Sequence, residues 1–254
     1  MKIKLIGSAR GSGPQYQYLI SYLINDRIAI DAGCIGLMTP LAAQKRITDI
    51  VLSHAHIDHV ASLPLLIDNV YQPGPSCPTV WGSAATLRSL RADLFNDRIW
   101  PDVIRLSESE APFVQLSEFK ANQTISLGPI SITAVELQHV VPTFGFVVED
   151  EEGAVAFVSD TAPTDAIWKK LNDTDNLRAV FLEASFPNSM AWLAEKSMHL
   201  TPGLFAVELQ KLNHDVPIVV VHVKAEFHDL VLSELKALQL SNLQVGEVDH
   251  EYRF

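Results

Sequence analysis

The stretch His54-Ala55-His56-Ile57-Asp58-His59 places four metal-binding types of side chain within six positions. It follows Ile50–Leu52, an apolar run that predicts a short buried strand. It precedes Val60–Val70, in which apolar residues recur at helical spacing. The stretch is therefore predicted to form a tight loop at the C-terminal end of a strand.

In such a loop, alternate side chains can turn toward the same cavity. His54 and His56 are therefore predicted to bind one ion, and Asp58 and His59, one step further on, to face a second. Imidazole and carboxylate ligands together suit zinc, with iron or manganese as alternatives. The alternative interpretation is a group of surface histidines near the start of a helix.

Other ligand-type side chains follow predicted strands further along the chain, and these are His139, Asp160 and His222. Taken singly, each has a structural alternative: an aspartate that caps a helix, or a histidine at the rim of a sheet. Because all three obey the same strand-end rule as the first motif, we expect them to belong to one site.

The order of predicted elements indicates an α/β protein. Short strands come first, including one predicted over Tyr16–Ile24, and strand–helix units, further strands and further strand–helix units follow. This order predicts two β-sheets packed together with helices outside. With 254 residues, 48% of them hydrophobic, the chain can bury a sizeable core, and we expect residues 1–254 to form one domain.

Composition limits the classes of partner. The formal net charge of −11 gives no general attraction for nucleic acid or an anionic membrane. No apolar run approaches the roughly 18 residues of a membrane helix, and Met1–Gly7 is too short in apolar run for a signal peptide. Cys34 and Cys77 form no metal-binding or disulfide pattern. We therefore expect a cytoplasmic protein, with no membrane partner and nucleic acid disfavoured.

Taken together, these motifs resemble the metallo-β-lactamase superfamily. The resemblance is carried, in chain order, by Asp31–Gly33, the His54–His59 motif, His139, Asp160 and His222. It implies an αββα sandwich, with two mixed sheets flanked by helices and a dinuclear centre at the sheet edges.

The resemblance also implies how the ligands are divided. A first ion would be held by His54, His56 and His139, a second by Asp58, His59 and His222, and both by Asp160. Asp58 is counted with the catalytic residues as well as with the ligands. Asp31 would hydrogen-bond the ligand loop and orient its imidazoles; a plain turn aspartate is the alternative.

Three further segments resemble the class II cyclic-nucleotide phosphodiesterases: Glu183–Asn188, His199–Pro202 and His222–Lys224. The resemblance to the tRNA 3′-end endonucleases of the RNase Z group is looser, since Leu182 stands where that group has a histidine. Those nucleases carry a long arm between the third-motif histidine and the bridging aspartate. Here His139 and Asp160 are only 21 positions apart, enough for a hairpin.

We therefore expect a phosphodiesterase that acts on a small anionic diester, such as a 3′,5′-cyclic nucleotide. His199 is the expected proton donor to the leaving group, assisted by Glu183; packing ahead of the helix at Thr201 is its alternative role. Lys224 is expected to contact phosphate, with a solvated lysine as the alternative.

Two other functions stay open. One is hydrolysis of a different substrate on the same fold, by an RNase Z-like nuclease, a lactonase or an arylsulfatase. The other is a non-catalytic metal-binding sensor, although a protein that had lost catalysis need not keep all seven ligand positions. The oligomeric state is also open, with a homodimer among the alternatives.

Overall fold

A computed structural model of the protein describes residues 1–8, 16–107 and 110–254. Within these residues the first sheet begins with six strands: β1 (Lys2–Leu5), β2 (Tyr22–Ile24), β3 (Ile28–Ile30), β4 (Asp49–Val51), β5 (Thr79–Gly82) and β6 (Gln115–Glu118). The second sheet contains seven: β7 (Thr124–Leu127), β8 (Ile130–Leu137), β9 (Thr143–Asp150), β10 (Gly153–Val158), β11 (Leu177–Glu183), β12 (Ile218–Val221) and β13 (Leu243–Val245). The chain then returns through β14 (Glu251–Arg253), which pairs with β1 in the first sheet.

Strand direction changes partway across each sheet. The first sheet has the order β14-β1-β2-β3-β4-β5-β6, antiparallel as far as β3 and parallel from there to β6. The second has the order β13-β12-β11-β10-β9-β8-β7, parallel from β13 to β10 and antiparallel beyond. Parallel neighbours end at the same edge of a sheet, so residues that follow those strands lie close together.

The helices of the described residues are α1 (Leu41–Gln44), α2 (Ile57–Val60), α3 (Leu63–Val70), α4 (Ala84–Ser89), α5 (Val103–Leu106), α6 (Ala166–Asn172), α7 (Ala191–Ser197), α8 (Pro202–Leu209) and α9 (His228–Ala237). A π-helical segment, Leu90–Leu94, continues α4. No helix among these residues is long and apolar enough to cross a membrane.

Three apolar layers hold the fold together. Phe146 and Phe181 are buried between the two sheets. Leu66 of α3 packs into the layer outside the first sheet, and Trp168 of α6 into the layer outside the second. Full burial of one large apolar side chain contributes about 1.5–3 kcal/mol. The resulting order of helices, sheet, sheet and helices confirms the predicted αββα sandwich.

One predicted strand is shorter than expected. The sequence predicts a strand over Tyr16–Ile24, but β2 covers only the last three residues. Before β2, the backbone of Ile20 donates to the carbonyl of Asp58 at 2.8 Å and accepts from the amide of Gly33 at 2.9 Å. These two hydrogen bonds therefore go to the segment that carries the His54–His59 motif and to the turn after β3, rather than to a neighbouring strand.

Candidate metal centre

The predicted site residues follow strand ends that meet at one edge of the sandwich. Asp31 follows β3, His54 comes shortly after β4, His139 after β8, Asp160 after β10, Glu183 ends β11, and His222 follows β12. His199 lies between α7 and α8 and reaches the same edge. The fold therefore brings together every side chain that the sequence assigns to the site.

A first cluster contains His54, His56, His139 and Asp160, with one possible ligand atom from each lying within 4.8 Å of the others. Nδ1 of His56 is 3.3 Å from Nε2 of His139. Nε2 of His54 is 3.7 Å from Oδ2 of Asp160. Three imidazoles and one carboxylate form a donor set that suits a divalent transition metal.

A second cluster contains Asp58, His59 and His222. Nε2 of His222 lies 3.5 Å from Oδ2 of Asp58. The carboxylate of Asp160 adjoins this cluster too, because its Oδ2 is 3.4 Å from Nε2 of His59 and its Oδ1 is 3.1 Å from Nε2 of His222. Asp160 therefore lies between the clusters, where a carboxylate could serve two ions.

Several atoms of the two clusters are buried and have no hydrogen-bond partner: Nε2 of His54, Nε2 of His59, Nε2 of His222 and Oδ1 of Asp160. Buried polar atoms are nearly always hydrogen-bonded, because an unpaired one loses its hydration without compensation. Cations would satisfy these nitrogen and oxygen lone pairs. The residues present thus fit a divalent metal centre.

Asp31 is hydrogen-bonded to the segment that carries the His54–His59 motif. Its carboxylate accepts the Ser53 amide at 2.8 Å and lies 2.7 Å from Nδ1 of His59. Nδ1 of His59 is thereby the donor, and Nε2 is left facing the cluster. Ser53, which the sequence analysis did not identify, also places its hydroxyl 3.0 Å from Nδ1 of His54. Its position directly before the first histidine was the available signal.

The Asp31–Gly33 motif requires glycine at position 33 because there is no space for a side chain. A Cβ atom at Gly33 would lie 2.1 Å from the carbonyl oxygen of Asp58 and 2.6 Å from the amide of Ile20. These are backbone atoms, so neither can swing away. The close approach fixes the loop that carries Asp58 against the end of β3.

The backbone at three site positions is left-handed: φ is 60° at Asp31, 56° at Met198 and 55° at His222. Non-glycine residues adopt this conformation rarely and persist in it where the surroundings hold them. The amide of His222 donates to Gln17 at 3.0 Å, and its carbonyl accepts from Ser185 at 2.9 Å. The carbonyl of Met198 lies 3.0 Å from Nδ1 of His139, which leaves Nε2 of that ring for the cluster.

His199 and Glu183 form a buried pair beside Asp160, and all three could hold a metal together. Nδ1 of His199 lies 2.8 Å from Oε1 of Glu183. The same carboxylate accepts the amides of Thr161 and Ser185, each at 3.1 Å. Burial disfavours the imidazolium, but the charge and hydrogen bond of Glu183 raise the pKa of His199 above its ordinary value.

Burial sets the protonation of the first cluster. It lowers the pKa of His54, His56 and His139, with neighbouring imidazoles adding to the effect. The lowered pKa favours the neutral ring that metal binding requires. In His59, burial is outweighed by Asp160 and Asp31, whose charges raise its pKa.

Lys224 lies at the open side of the second cluster. Its Nζ atom is 3.5 Å from Oδ2 of Asp58, and its side chain is 35% exposed. Burial works against ionisation of Asp58, but His59, His222 and Lys224 outweigh it and hold the pKa of that carboxyl below its usual range. The predicted contact between Lys224 and a substrate phosphate stays a prediction.

A cavity of about 470 Å³ opens beside His56. One wall comes from the motif loop and another from α4, Leu90–Leu94 and Ile99. Val141 and Pro142 complete it. No sequence pattern marks α4, Leu90–Leu94, Ile99, Val141 or Pro142 as part of a site.

Comparison with known proteins agrees with this architecture. A family model described as a beta-lactamase superfamily domain matches residues 26–222. A probable 3′,5′-cyclic-nucleotide phosphodiesterase of Yersinia pestis is 28% identical over 242 residues, covering 83% of this chain and 68% of that protein. The chain spans 60% or less of the length of other curated relatives.

Two solved structures share the fold. Unliganded yeast PDE1 has a TM-score of 0.78 at 17% identity, with 98% of both chains covered. The short form of human tRNase Z, ELAC1, has a TM-score of 0.69 at 17% identity, covering 100% of this chain and 99% of that one. Because structures of both descriptions share it, the fold does not by itself select a substrate.

Proposed function

Because this chain belongs to the β-lactamase superfamily, we propose that it is a dinuclear metal-dependent phosphodiesterase that hydrolyses 3′,5′-cyclic nucleotides to 5′-nucleotides. The observation that carries the proposal is the position of Asp160, whose carboxylate lies within 4 Å of ring nitrogens from both ligand clusters. The Yersinia pestis relative, described as a probable 3′,5′-cyclic-nucleotide phosphodiesterase, supports the substrate class.

The ligands would be divided as the two clusters suggest. His54, His56 and His139 would hold one ion, Asp58, His59 and His222 the other, and Asp160 both. Zinc fits this donor set, with manganese or iron as alternatives. Divalent ions bound here would supply positive charge to polarise a phosphoryl oxygen and to acidify water.

Residues around the centre would protonate the leaving group and contact the phosphate. In a cyclic ester the departing atom is a ribose oxygen, which leaves poorly unless it is protonated. His199 would donate that proton from Nε2, since Nδ1 is held by Glu183. Lys224, at the open side of the centre, would contact a phosphate oxygen.

The chain between His139 and Asp160 favours a small diester. Most of this connection is taken up by β9 and β10, which pair as an antiparallel hairpin, so no arm is inserted there. The net charge of −11 also disfavours a polyanion such as tRNA.

An assay of the purified, metal-loaded protein on a substrate panel tests the proposal. The panel contains cyclic nucleotides, linear dinucleotides, precursor tRNA, lactones and aryl sulfates. We expect cyclic nucleotides to be cleaved with the highest kcat/KM. Efficient cleavage of precursor tRNA or of a lactone instead would contradict the substrate assignment, and metal binding without hydrolysis of any member would favour a sensor.

A further inference from the structure

The cavity beside His56 shares a wall with the first ligand cluster. Ala55, His56 and Ile57 all line it, so the cavity directly adjoins the metal centre. Both ester oxygens of a 3′,5′-cyclic nucleotide belong to one ribose, and the base on that ribose takes no part in the reaction. This cavity adjoins the centre and can receive such a group.

Its lining is largely apolar, with Val60, Leu90 and Leu94 among the contributing residues. Ile57 and Ile99 also line it and are 67% and 68% exposed, so large apolar side chains stand in water at its mouth. No lysine or arginine lines it among the described residues. A second phosphate placed here would lose hydration without gaining a cation, so the group that fits is uncharged.

One charged group interrupts this surface. Asp93 lines the cavity and is exposed, and its carboxylate has no hydrogen bond or ion pair among the residues that the structure describes. It lies in the π-helical segment Leu90–Leu94, a geometry that is frequent at functional sites. An ionised carboxylate only accepts hydrogen bonds, so it selects a ligand edge that carries N–H donors.

We infer that this cavity binds the base of the nucleotide substrate and that Asp93 makes it prefer guanine. A planar aromatic base suits an apolar slot of this size. Guanine presents two adjacent N–H donors on its pairing edge, which both oxygens of a carboxylate can accept. Adenine presents a donor beside an acceptor, and the acceptor would oppose Asp93. This inference rests on the proposed function and adds base recognition to it.

Comparison of wild type with Asp93→Asn tests the preference. We expect wild type to have a higher kcat/KM for cyclic GMP than for cyclic AMP. The side-chain amide of Asn offers both a donor and an acceptor, which matches adenine. The variant should therefore lose about tenfold on cyclic GMP and lose nothing on cyclic AMP. Equal changes on the two substrates, or no change on either, would overturn the role of Asp93.

A second comparison tests the cavity itself. Ile99→Ser should raise KM for cyclic GMP several-fold at unchanged kcat, because it removes binding that substrate and transition state share. Val207→Ser on α8 is the matched control: Val207 is also an exposed aliphatic residue, 51% accessible, outside the cavity lining. It should change neither constant.

Guanosine, which has no phosphate, gives a readout that does not depend on catalysis. Saturation-transfer NMR on the metal-loaded protein should show contacts to the base, weakened by Ile99→Ser and retained in Val207→Ser. If the guanosine signals are the same in Ile99→Ser as in wild type, the inference is overturned even if cyclic nucleotides are hydrolysed. Base binding that depends on Ile99, found together with no diester hydrolysis, would uphold the cavity and contradict the proposed function alone.

Discussion

Nδ1 of His199 lies 2.8 Å from a carboxylate oxygen of Glu183, and this contact aims the ring. The opposite nitrogen, Nε2, points into the centre and is 4.0 Å from Oδ2 of Asp160. Because the carboxylate occupies one nitrogen, only the other can exchange a proton with a substrate. This geometry fits the proposed role of His199 as an oriented acid.

Replacement of His199 by alanine is expected to affect substrates according to their leaving groups. A ribose alkoxide needs a proton, whereas a nitrophenolate departs without one. His199→Ala should slow hydrolysis of a cyclic nucleotide about 10²–10⁴-fold, the usual range for general acid–base catalysis. Hydrolysis of bis(nitrophenyl) phosphate should fall much less, and metal analysis should show unchanged content.

Two other roles for His199 would give different results. If it were a metal ligand, which its place beside Asp160 and Glu183 allows, both substrates would fail together and an ion would be lost. If it only packed the loop before Thr201, thermal stability would fall with similar, modest losses on both substrates. Equal losses on the two substrates would remove it from the catalytic residues.

The pH dependence of kcat should reveal the influence of Glu183. An acid must be protonated to act, so kcat for a cyclic nucleotide should fall as pH rises through the raised pKa of His199. In Glu183→Gln the carboxylate charge is gone while burial remains, and burial lowers the pKa. The falling limb should therefore move to lower pH.

The pH–rate profile of Glu195→Gln, at an exposed glutamate of α7, serves as the control and should match wild type. Melting temperatures of both variants would show whether the buried amide has disturbed the fold. If the falling limb of the pH–rate profile stays at the same pH in a folded Glu183→Gln protein, Glu183 does not influence the acid.

Loss of Asp160 should reduce metal content. We expect about two transition-metal ions per chain in the wild type, and fewer in Asp160→Ala together with loss of activity, because a shared carboxylate serves both ions. Elemental analysis of purified proteins measures this. His214→Ala, which changes a histidine outside both clusters, should alter neither quantity. A single full-occupancy ion that is indifferent to Asp160 would contradict the two-ion site.

Gly33→Ala should lower the free energy of unfolding of the protein. The added methyl group would meet the carbonyl oxygen of Asp58 at 2.1 Å, so the motif loop must shift. Forced rearrangement of this kind costs about 1–3 kcal/mol of unfolding free energy. Denaturant titration measures the loss. In Gly203→Ala the added methyl group meets side-chain atoms of Asn188, at 3.0 Å, and Thr201, at 3.8 Å, so stability should change little. Equal stabilities of the two variants would contradict the close-packing argument.

The sequence predicted the site better than its surroundings, for a physical reason. A ligand-type side chain directly after an apolar run is a local signal, and parallel strands bring such positions to one edge; His139 and Asp160 were found in this way. Ser185 and Gln17 support His222 from distant parts of the chain, and no local pattern marks them. The shortened strand at Tyr16–Ile24 has the same origin, since the amide of Ile20 donates to Asp58, far along the sequence.

The cavity was not predictable, because apolar residues that line a pocket look like core residues in a sequence. Leu90 and Leu94 fit a helical core pattern equally well. The interpretation of residues 1–254 as one domain stays a prediction, as do the cytoplasmic location and the choice of metal.

The proposed ligands follow strands of both sheets: four lie between β4 and α3, two of them in α2, and three lie after β8, β10 and β12. A nascent chain that has left the ribosome only as far as His59 carries the donors that follow one sheet and none that follow the other. The complete ligand sets would therefore form only once both halves of the sandwich have docked. Once bound, ions spanning the two sheets would stabilise the native state through mass action, by an amount that grows with their free concentration. The heat tolerance of this protein would then follow the trace-metal supply of its surroundings.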